Sequence, residues 1–303
     1  MRHRSLFAFA AAGSLVVLGL GSPARAAFPG SNGRIAFGHE EPAGDHTQVD
    51  VYTVKPDGTG VLQLTATPGS NEFSPQWNAA GTRIAFWRTR APFGPGNVWV
   101  MDADGSNARR LTANVDARDP TWNPAGTRLV YTRRIDDLFS LRVSDGDDRR
   151  QLTSGPAHDF EPAWSPGGRQ IAFTRGFDEG DVGDIYVLDL DTHEITQVTD
   201  SKDYDHQVAW APDGSKLLFE RDFDNTAGIF VVNPDGTGLQ RLTKGPHFDT
   251  GPASSPTGKK IVFSTDRQSD FFPHLWVMKA DGTDLHLLYG TQFAESTPDW
   301  QPV

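Results

Sequence analysis

The chain has 303 residues, and its 28 lysines and arginines stand against 39 aspartates and glutamates, a formal net charge of −11. Cysteine is absent, which excludes disulfides, zinc–thiolate and iron–sulfur sites, a cysteine nucleophile and a lipidated N-terminal cysteine. The negative charge opposes non-specific contact with phosphate backbones, so no nucleic acid is expected among the partners. The 31 glycines and 21 prolines favour many turns over long helices.

Residues 1–26 have the features of a secretory signal peptide. Arg2 and Arg4 precede an uncharged apolar run over residues 6–20, and the small-x-small triplet 24–26 ends the segment. This order predicts cleavage after Ala26 and a mature chain of residues 27–303. The alternative, an uncleaved membrane anchor, is disfavoured because a spanning helix needs ~20 apolar residues. We therefore expect a secreted or extracytoplasmic protein, in the periplasm or cell wall, without a membrane span after cleavage.

The rest of the chain repeats a Trp-x-Pro-x-Gly motif. Three copies keep the whole motif, whereas Ala79 replaces its proline in an earlier copy and Ser254 replaces its tryptophan in a later one. The tryptophan position recurs every 42 to 46 residues, at 77, 122, 164, 210, 254 and 300. Internal repeats of this length indicate a modular fold in which each unit packs on its neighbours.

Each repeat contains four short segments rich in β-branched and aromatic residues. The tryptophan segment is followed by an apolar triplet such as Ile171-Ala-Phe173, then by an alternating run such as Val98-Trp99-Val100, an Asp-Gly turn and a Leu-Thr pair. Such segments, bounded by glycine, proline and aspartate, are typical of β-strands. The third repeat is irregular, because Ser140 occupies the aromatic position of its third segment.

These units predict an all-β fold, a six-bladed β-propeller with four-stranded blades that occupies residues 27–303. The first apolar triplet, Ile35-Ala-Phe37, has no tryptophan before it, and the last tryptophan, Trp300, has no triplet after it. The N-terminal and C-terminal strands are therefore expected to pair in one composite blade that closes the ring. Closure removes exposed sheet edges, so a monomer is expected.

The repeat resembles the TolB-type, WD-like β-propeller repeat. Residues 162–173, 184–187 and 198–199 show the pattern best, and the resemblance extends over residues 28–303. It implies a propeller that binds proteins of the cell envelope. The propeller stands alone here, without the N-terminal α/β domain of TolB, so a role in the Tol system is not expected. No Gly-x-Ser-x-Gly nucleophile elbow occurs in the sequence.

An acidic residue stands five positions before the tryptophan slot in five of the six repeats. Strand order places these positions on the face with the longer loops, around the mouth of the central channel, and Ala117 takes the position in the remaining repeat. We predict that the ring binds a ligand: a basic peptide, an amine or a divalent cation such as Ca²⁺. The predicted ring consists of Glu72, Asp159, Asp205, Asp249 and Glu295, with His158, His206 and His247 beside three of its acids.

A structural role for the same residues is the alternative interpretation. An arginine recurs two residues after the aromatic of the second strand, at Arg88, Arg133, Arg175 and Arg221, with Arg267 slightly displaced. These arginines emerge on the same face and could pair with the acids in a belt of salt bridges. Two acidic loops, residues 178–184 and 222–225, loosely resemble calcium loops but lack the spacing of an EF-hand.

Two function classes remain open from the sequence. The first is a non-catalytic binding scaffold of the envelope or secreted space, without a resident cofactor and without catalytic residues, whose partner is an envelope protein or peptide. The second is a metal-dependent lyase or hydrolase that acts on polysaccharide at the channel mouth, because propeller lyases of the oligogalacturonate type resemble this repeat.

Overall fold

A computed structural model of the chain describes residues 27–43, 46–90, 94–113, 115–133, 137–176, 183–268 and 272–303. The predicted signal peptide and residues 178–182 of the first acidic loop lie outside the described residues. Within them, no helix is long and apolar enough to cross a membrane.

The described residues form 24 strands. The first twelve are β1 (Asn32–Ala43), β2 (His46–Val54), β3 (Leu62–Gln63), β4 (Ser70–Trp77), β5 (Arg83–Arg90), β6 (Asn97–Asp102), β7 (Arg109–Arg110), β8 (Ala117–Trp122), β9 (Arg128–Arg133), β10 (Asp137–Arg142), β11 (Arg150–Gln151) and β12 (His158–Trp164). The others are β13 (Gln170–Gly176), β14 (Asp184–Asp189), β15 (Ile195–Gln197), β16 (Tyr204–Trp210), β17 (Leu217–Asp222), β18 (Ala227–Val232), β19 (Gln240–Arg241), β20 (Asp249–Ser254), β21 (Lys260–Thr265), β22 (His274–Lys279), β23 (His286–Tyr289) and β24 (Glu295–Pro302).

The strands form six antiparallel sheets of four, which confirms the predicted six-bladed propeller. Blade 1 has the order β24-β1-β2-β3, and blades 2 to 6 follow as β4–β7, β8–β11, β12–β15, β16–β19 and β20–β23. The first strand of each blade contacts the first strands of both neighbouring blades, in a closed circuit from β4 through β24 and back to β4. These six strands are therefore the innermost ones and surround the central axis.

The composite blade closes the ring as the sequence predicts. The C-terminal strand β24 pairs with β1, and Ile35 lies opposite Trp300. Beyond the ladder, Ser31 N–H donates to the Val303 carbonyl at 2.6 Å, and Val303 N–H donates to the Ser31 carbonyl at 3.1 Å. The pairing satisfies backbone groups that would otherwise form an open sheet edge.

A β-bulge interrupts each innermost strand at the same position. The bulge residues have φ angles between 51° and 61°, although only one of them is a glycine, and they are Ser74, Asp119, Glu161, Gln207, Gly251 and Thr297. The register of the first strand against the second shifts by one residue at each bulge. The bulges therefore turn the loop-side part of every innermost strand relative to its tryptophan end.

The tryptophans of the repeat join neighbouring blades. Trp77, Trp122 and Trp210 are at most 1% exposed. The indole N–H of Trp122 donates to the Gln76 carbonyl of the preceding blade at 2.9 Å, and that of Trp210 donates to the Ala163 carbonyl at 3.1 Å. The Trp122 and Trp210 indoles thus bury apolar surface and satisfy their polar atoms across a blade interface, whereas the buried Nε1 of Trp77 makes no hydrogen bond within the described residues.

Blade 6 lacks this tryptophan and has a cavity in its place. Ser254 occupies the position, and a space of about 260 Å³ lies between blades 5 and 6. Its lining includes Leu218 and Val231 of blade 5 and Ile261 of blade 6. The interface is therefore underpacked where the repeat loses its indole.

Filling this cavity should stabilise the propeller. We expect Ser254→Trp to raise the free energy of unfolding by roughly 1.5–3 kcal/mol, because the indole buries apolar surface in existing space. The reverse change, Trp210→Ser, should lower it by about 3–5 kcal/mol. Denaturant unfolding of both variants measures the effects, with Ser254→Ala as the control that removes the hydroxyl group and fills nothing. A destabilised Ser254→Trp variant would show that the space does not accept an indole.

Candidate functional site

The acids of the predicted ring lie at the loop-side ends of the innermost strands and are buried. All five are at most 1% exposed. The β-ladders place three of the predicted arginines directly opposite three of these acids, because Glu72 pairs with Arg88, Asp159 with Arg175 and Asp205 with Arg221.

Three of the acid–arginine contacts are bidentate. Arg175 donates to the two carboxylate oxygens of Asp159 at 2.6 and 2.8 Å. Arg221 donates to Asp205 at 2.5 and 2.7 Å. The displaced Arg267 reaches Asp249 at 3.0 and 2.5 Å. These carboxylates are thus held in the geometry expected for a structural belt.

The aromatic position of the third strand supports the arginines from one side. The Arg88 guanidinium lies 4.3 Å from the ring centre of Trp99, and that of Arg221 lies 4.8 Å from Phe230. Arg133, whose blade has Ala117 instead of an acid, lies 5.0 Å from the ring centre of Phe139. Stacking on an aromatic face therefore fixes the arginine even in the blade that offers no carboxylate at this position. Phe139 lies opposite Tyr131 as Trp99 lies opposite Phe86, so Phe139 holds the aromatic position of the third repeat and the predicted irregularity at Ser140 is wrong.

Histidines take the place of arginine around Glu295. His39, which lies opposite Glu295 in the ladder, approaches it through Nδ1 at 3.1 Å, and His274 Nδ1 lies 2.8 Å from the other carboxylate oxygen. The Thr291 hydroxyl donates to Glu295 at 2.7 Å. His39 lies two residues after Phe37, the repeat position that holds arginine in other blades, whereas His274 reaches Glu295 from the neighbouring blade and is not indicated by the repeat.

Two of the three predicted histidines belong to separate local environments. His158 lies at the first position of β12, opposite Gly176. His247 lies in the connection before β20, and its Nδ1 is 3.3 Å from Asp266 Oδ1. The His247 side chain is about one-third exposed. The role of these two residues in ligand binding stays a prediction, as does that of the acids and arginines of the belt.

The third histidine, His206, lies in a cluster with two acids of β17. His206 Nε2 is 3.4 Å from Glu220 Oε1 and 3.5 Å from Asp222 Oδ2. Within the described residues, this is the group of three side chains whose donor atoms are close enough to hold a metal ion. His206 and Glu220 are buried, whereas the Asp222 side chain is 43% exposed. We call His206, Glu220 and Asp222 the blade 5 cluster.

The surroundings of the blade 5 cluster fix its side chains. The second oxygen of Glu220, Oε2, accepts a hydrogen bond from Gly251 N–H of the next blade at 3.1 Å. The His206 ring packs on Tyr204 with centroids 4.5 Å apart, and its Nδ1 faces Glu161 Oε2 at 3.8 Å.

The charges of the cluster shift the pKa values of its members. Burial opposes the imidazolium of His206, but the carboxylates of Glu220, Asp222 and Glu161 outweigh it and raise its pKa well above the usual value. Burial raises the pKa of Glu220 to about 7, although His206 opposes the shift. For Asp222 the proximity of His206 outweighs burial, so its pKa is lowered.

Two further acids lie at the bulges of adjacent innermost strands. Asp119 and Glu161 are 7% and 2% exposed. Asp119 Oδ1 accepts no hydrogen bond among the described residues, and the neighbouring Arg118 binds Asp116 at 2.8 and 3.0 Å. Burial, with the charge of Glu161 in addition, raises the pKa of Asp119 well above its usual value. We call Asp119 and Glu161 the channel pair.

We call each set of equivalent positions in the six blades a column, and two such columns single out His206 and Glu220. The column of His206 holds Phe73, Arg118, Phe160, Thr250 and Ser296 in the other blades. The column of Glu220 holds Trp87, Thr132, Thr174, Ser264 and Gly38. Glu220 is a buried carboxylate in a column whose other residues are uncharged. Because it does not recur in the other blades, the pattern of recurring acids does not include it.

Comparison with known proteins agrees with the observed fold. The sequence model described as the TolB beta propeller domain matches residues 27–182 and, in a second overlapping match, residues 136–303. The chain belongs to this family. The predicted family resemblance is thereby confirmed.

Solved structures of related shape include TolB from Acinetobacter baumannii, with a TM-score of 0.73 at 18% identity over 89% of this chain and 67% of that one. A chain of a nidogen/laminin complex has a TM-score of 0.70 at 10% identity, over 89% of this chain and 98% of that one. An oligogalacturonate lyase in complex with manganese has a TM-score of 0.57 at 14% identity, over 86% and 74%. At these identities the likeness concerns the fold.

The ion pair of blade 2 generates a prediction on pH dependence. Burial raises the pKa of Glu72 to about 8, with Asp50 adding to the shift and Arg88 opposing it. Arg88 Nε lies 2.7 Å from Glu72 Oε1, but neither atom makes an aligned hydrogen bond within the described part of the chain. Because the folded state binds this proton more tightly than the unfolded chain, the contribution of Glu72 to stability is fully present below about pH 4.5 and is lost as the pH rises towards 8.

Glu72→Gln, which resembles the protonated acid, should remove this contribution. We expect the melting temperature of the wild type to drop relative to that of Glu72→Gln between about pH 5 and about pH 8, as followed by circular dichroism. The exposed Glu194→Gln is the matched control, for which the difference from the wild type should not change with pH. Equal pH dependence in the wild type and Glu72→Gln would contradict the shifted pKa.

Proposed function

We propose that this protein is an extracytoplasmic binding scaffold that recognises a positively charged segment of a cell-envelope protein at its channel. The observation that carries the proposal is the channel pair, two buried carboxylates on adjacent innermost strands. Their neighbour Arg118 is bound to Asp116 instead. A lysine or arginine of a partner would supply a positive charge and a hydrogen-bond donor to Asp119.

The belt explains why the channel pair, rather than the predicted ring, is the better binding surface. Asp159, Asp205 and Asp249 are each held by two hydrogen bonds from an arginine of their own blade. A ligand that bound them would have to displace that arginine and leave it without its buried partner, which is costly. Asp119 loses no such contact when a cation approaches, so binding there is favoured.

The overall charge of the chain supports the same class of partner. At −11 the protein attracts basic segments over distances up to the Debye length and repels polyanions. The family match and the repeated blades agree with a rigid scaffold that presents loops to a partner. The predicted signal peptide supports the extracytoplasmic location, and ring closure supports a monomer.

The proposal predicts that the protein binds a fluorescent peptide of alternating lysine and glycine in preference to its glutamate counterpart. Asp119→Asn should weaken this binding by about tenfold, because one charge-assisted hydrogen bond is lost. Anisotropy titrations at low and moderate salt measure the affinity, and Glu194→Gln on the opposite face controls for the change in net charge.

The result that would contradict the proposal is equal affinity for the basic and the acidic peptide, or an Asp119→Asn variant that binds as tightly as Glu194→Gln. Asparagine has the shape of aspartate, and a circular dichroism spectrum of each variant confirms that a lost affinity does not reflect unfolding.

A further inference from the structure

The blade 5 cluster differs from its counterparts in the other blades. We propose that it is a binding site for one divalent transition-metal ion of the Zn²⁺ or Mn²⁺ class, with His206, Glu220 and Asp222 as ligands. Its three ligands include neither Asp119 nor an acid of the belt, and Glu161 of the channel pair adjoins it only through the far side of the His206 ring.

The internal repeat provides the first argument. His206 lies directly opposite Glu220 in the ladder between β16 and β17. In blade 2 the same two positions hold Phe73 and Trp87, whose rings stack with centroids 4.6 Å apart. The fold therefore accommodates an apolar pair here, and burying an imidazole opposite a carboxylate is not a requirement of the blade.

The donor spacing provides the second argument. The Nε2 atom of His206 is 3.4 Å from Glu220 Oε1 and 3.5 Å from Asp222 Oδ2. Donors bound at ~2.1 Å to a tetrahedral ion lie ~3.4 Å from one another. Both separations from His206 thus match those of ligands on one ion, and the donor atoms of all three side chains lie within 4.8 Å of one another.

An unsatisfied nitrogen atom points into the cluster. His206 is 7% exposed, and its Nε2 makes no hydrogen bond within the described part of the chain although it faces two carboxylates. A buried polar atom without a partner is unfavourable. A metal ion between Nε2 and the two carboxylates would satisfy it.

The surrounding contacts hold the ligands as they are held in known metal sites. Gly251 N–H fixes the second oxygen of Glu220, and Glu161 lies on the far side of the His206 ring, 3.8 Å from Nδ1. A carboxylate behind a ligating histidine is a common outer-shell arrangement. The half-exposed Asp222 gives an ion access from solvent.

The nature of the donors selects the metal. Ca²⁺ and Mg²⁺ take oxygen ligands, whereas imidazole with carboxylates suits Zn²⁺ and Mn²⁺. This assignment differs from the calcium ion that the acidic loops of the sequence loosely suggest, although Asp222 is also the first residue of one of those loops.

Isothermal titration calorimetry on the chelator-treated, dialysed protein tests the site with Mn²⁺, Zn²⁺ and Ca²⁺. We expect one Mn²⁺ or Zn²⁺ per chain and weaker binding of Ca²⁺. Asp222→Asn should reduce the affinity by at least about tenfold, because changes even to outer-shell partners have effects of that size. The matched control is Asp224→Asn, the same change at an exposed residue of the same loop, which should bind as the wild type does.

Three results would overturn the proposal: no binding of Mn²⁺ or Zn²⁺ by the wild type below millimolar concentration, equal affinities of Asp222→Asn and Asp224→Asn, or preferential binding of Ca²⁺. If Asp222→Asn does not fold by circular dichroism, His206→Gln provides the same comparison. Asp119→Asn should keep full metal affinity, so failure of the metal site and failure of the peptide site are distinguishable.

Discussion

The burial of a carboxylate at the inner edge of almost every blade is the constraint on which this propeller depends. A buried charge is tolerated only if a nearby group of opposite charge or several hydrogen bonds compensate it. Blades 4, 5 and 6 meet this requirement with a bidentate arginine, and blade 1 meets it with His39 and His274 around Glu295. Blade 3 avoids it with Ala117. The ring of acids is thus first a means of fixing the loop-side ends of the innermost strands.

The candidate sites lie where this local compensation is incomplete. Among the residues that the structure describes, Asp119 Oδ1 and His206 Nε2 are buried and make no hydrogen bond. Both belong to innermost strands, whose positions are set by ring closure and by the tryptophan contacts between blades. A rigid scaffold can keep such unfavourable groups in place, and a ligand that satisfies them gains affinity without reorganising the protein.

Repetition made the fold and the belt predictable. The spacing of the tryptophan slot predicted six blades, the unmatched ends at Ile35 and Trp300 predicted closure, and recurring acids and arginines predicted which residues meet. The blade 5 cluster was not predictable in this way, because the bulge at Gln207 shifts the pairing by one residue. An unbroken ladder from Trp210 and Leu217 would place His206 opposite Arg221, whereas the bulged strand places it opposite Glu220. His39 escaped prediction because a histidine replaces the arginine of its column, and His274 because it reaches Glu295 from the neighbouring blade.

We expect the belt acids to be structural and metal binding to be confined to the blade 5 cluster. The most direct measurement is a crystal structure of the wild-type protein soaked with Mn²⁺, with anomalous difference density recorded for the ion. The account predicts one peak between His206 Nε2, Glu220 and Asp222, with Arg221 still bound to Asp205. A peak at Asp159, Asp205 or Asp249, with the arginine displaced, would contradict it.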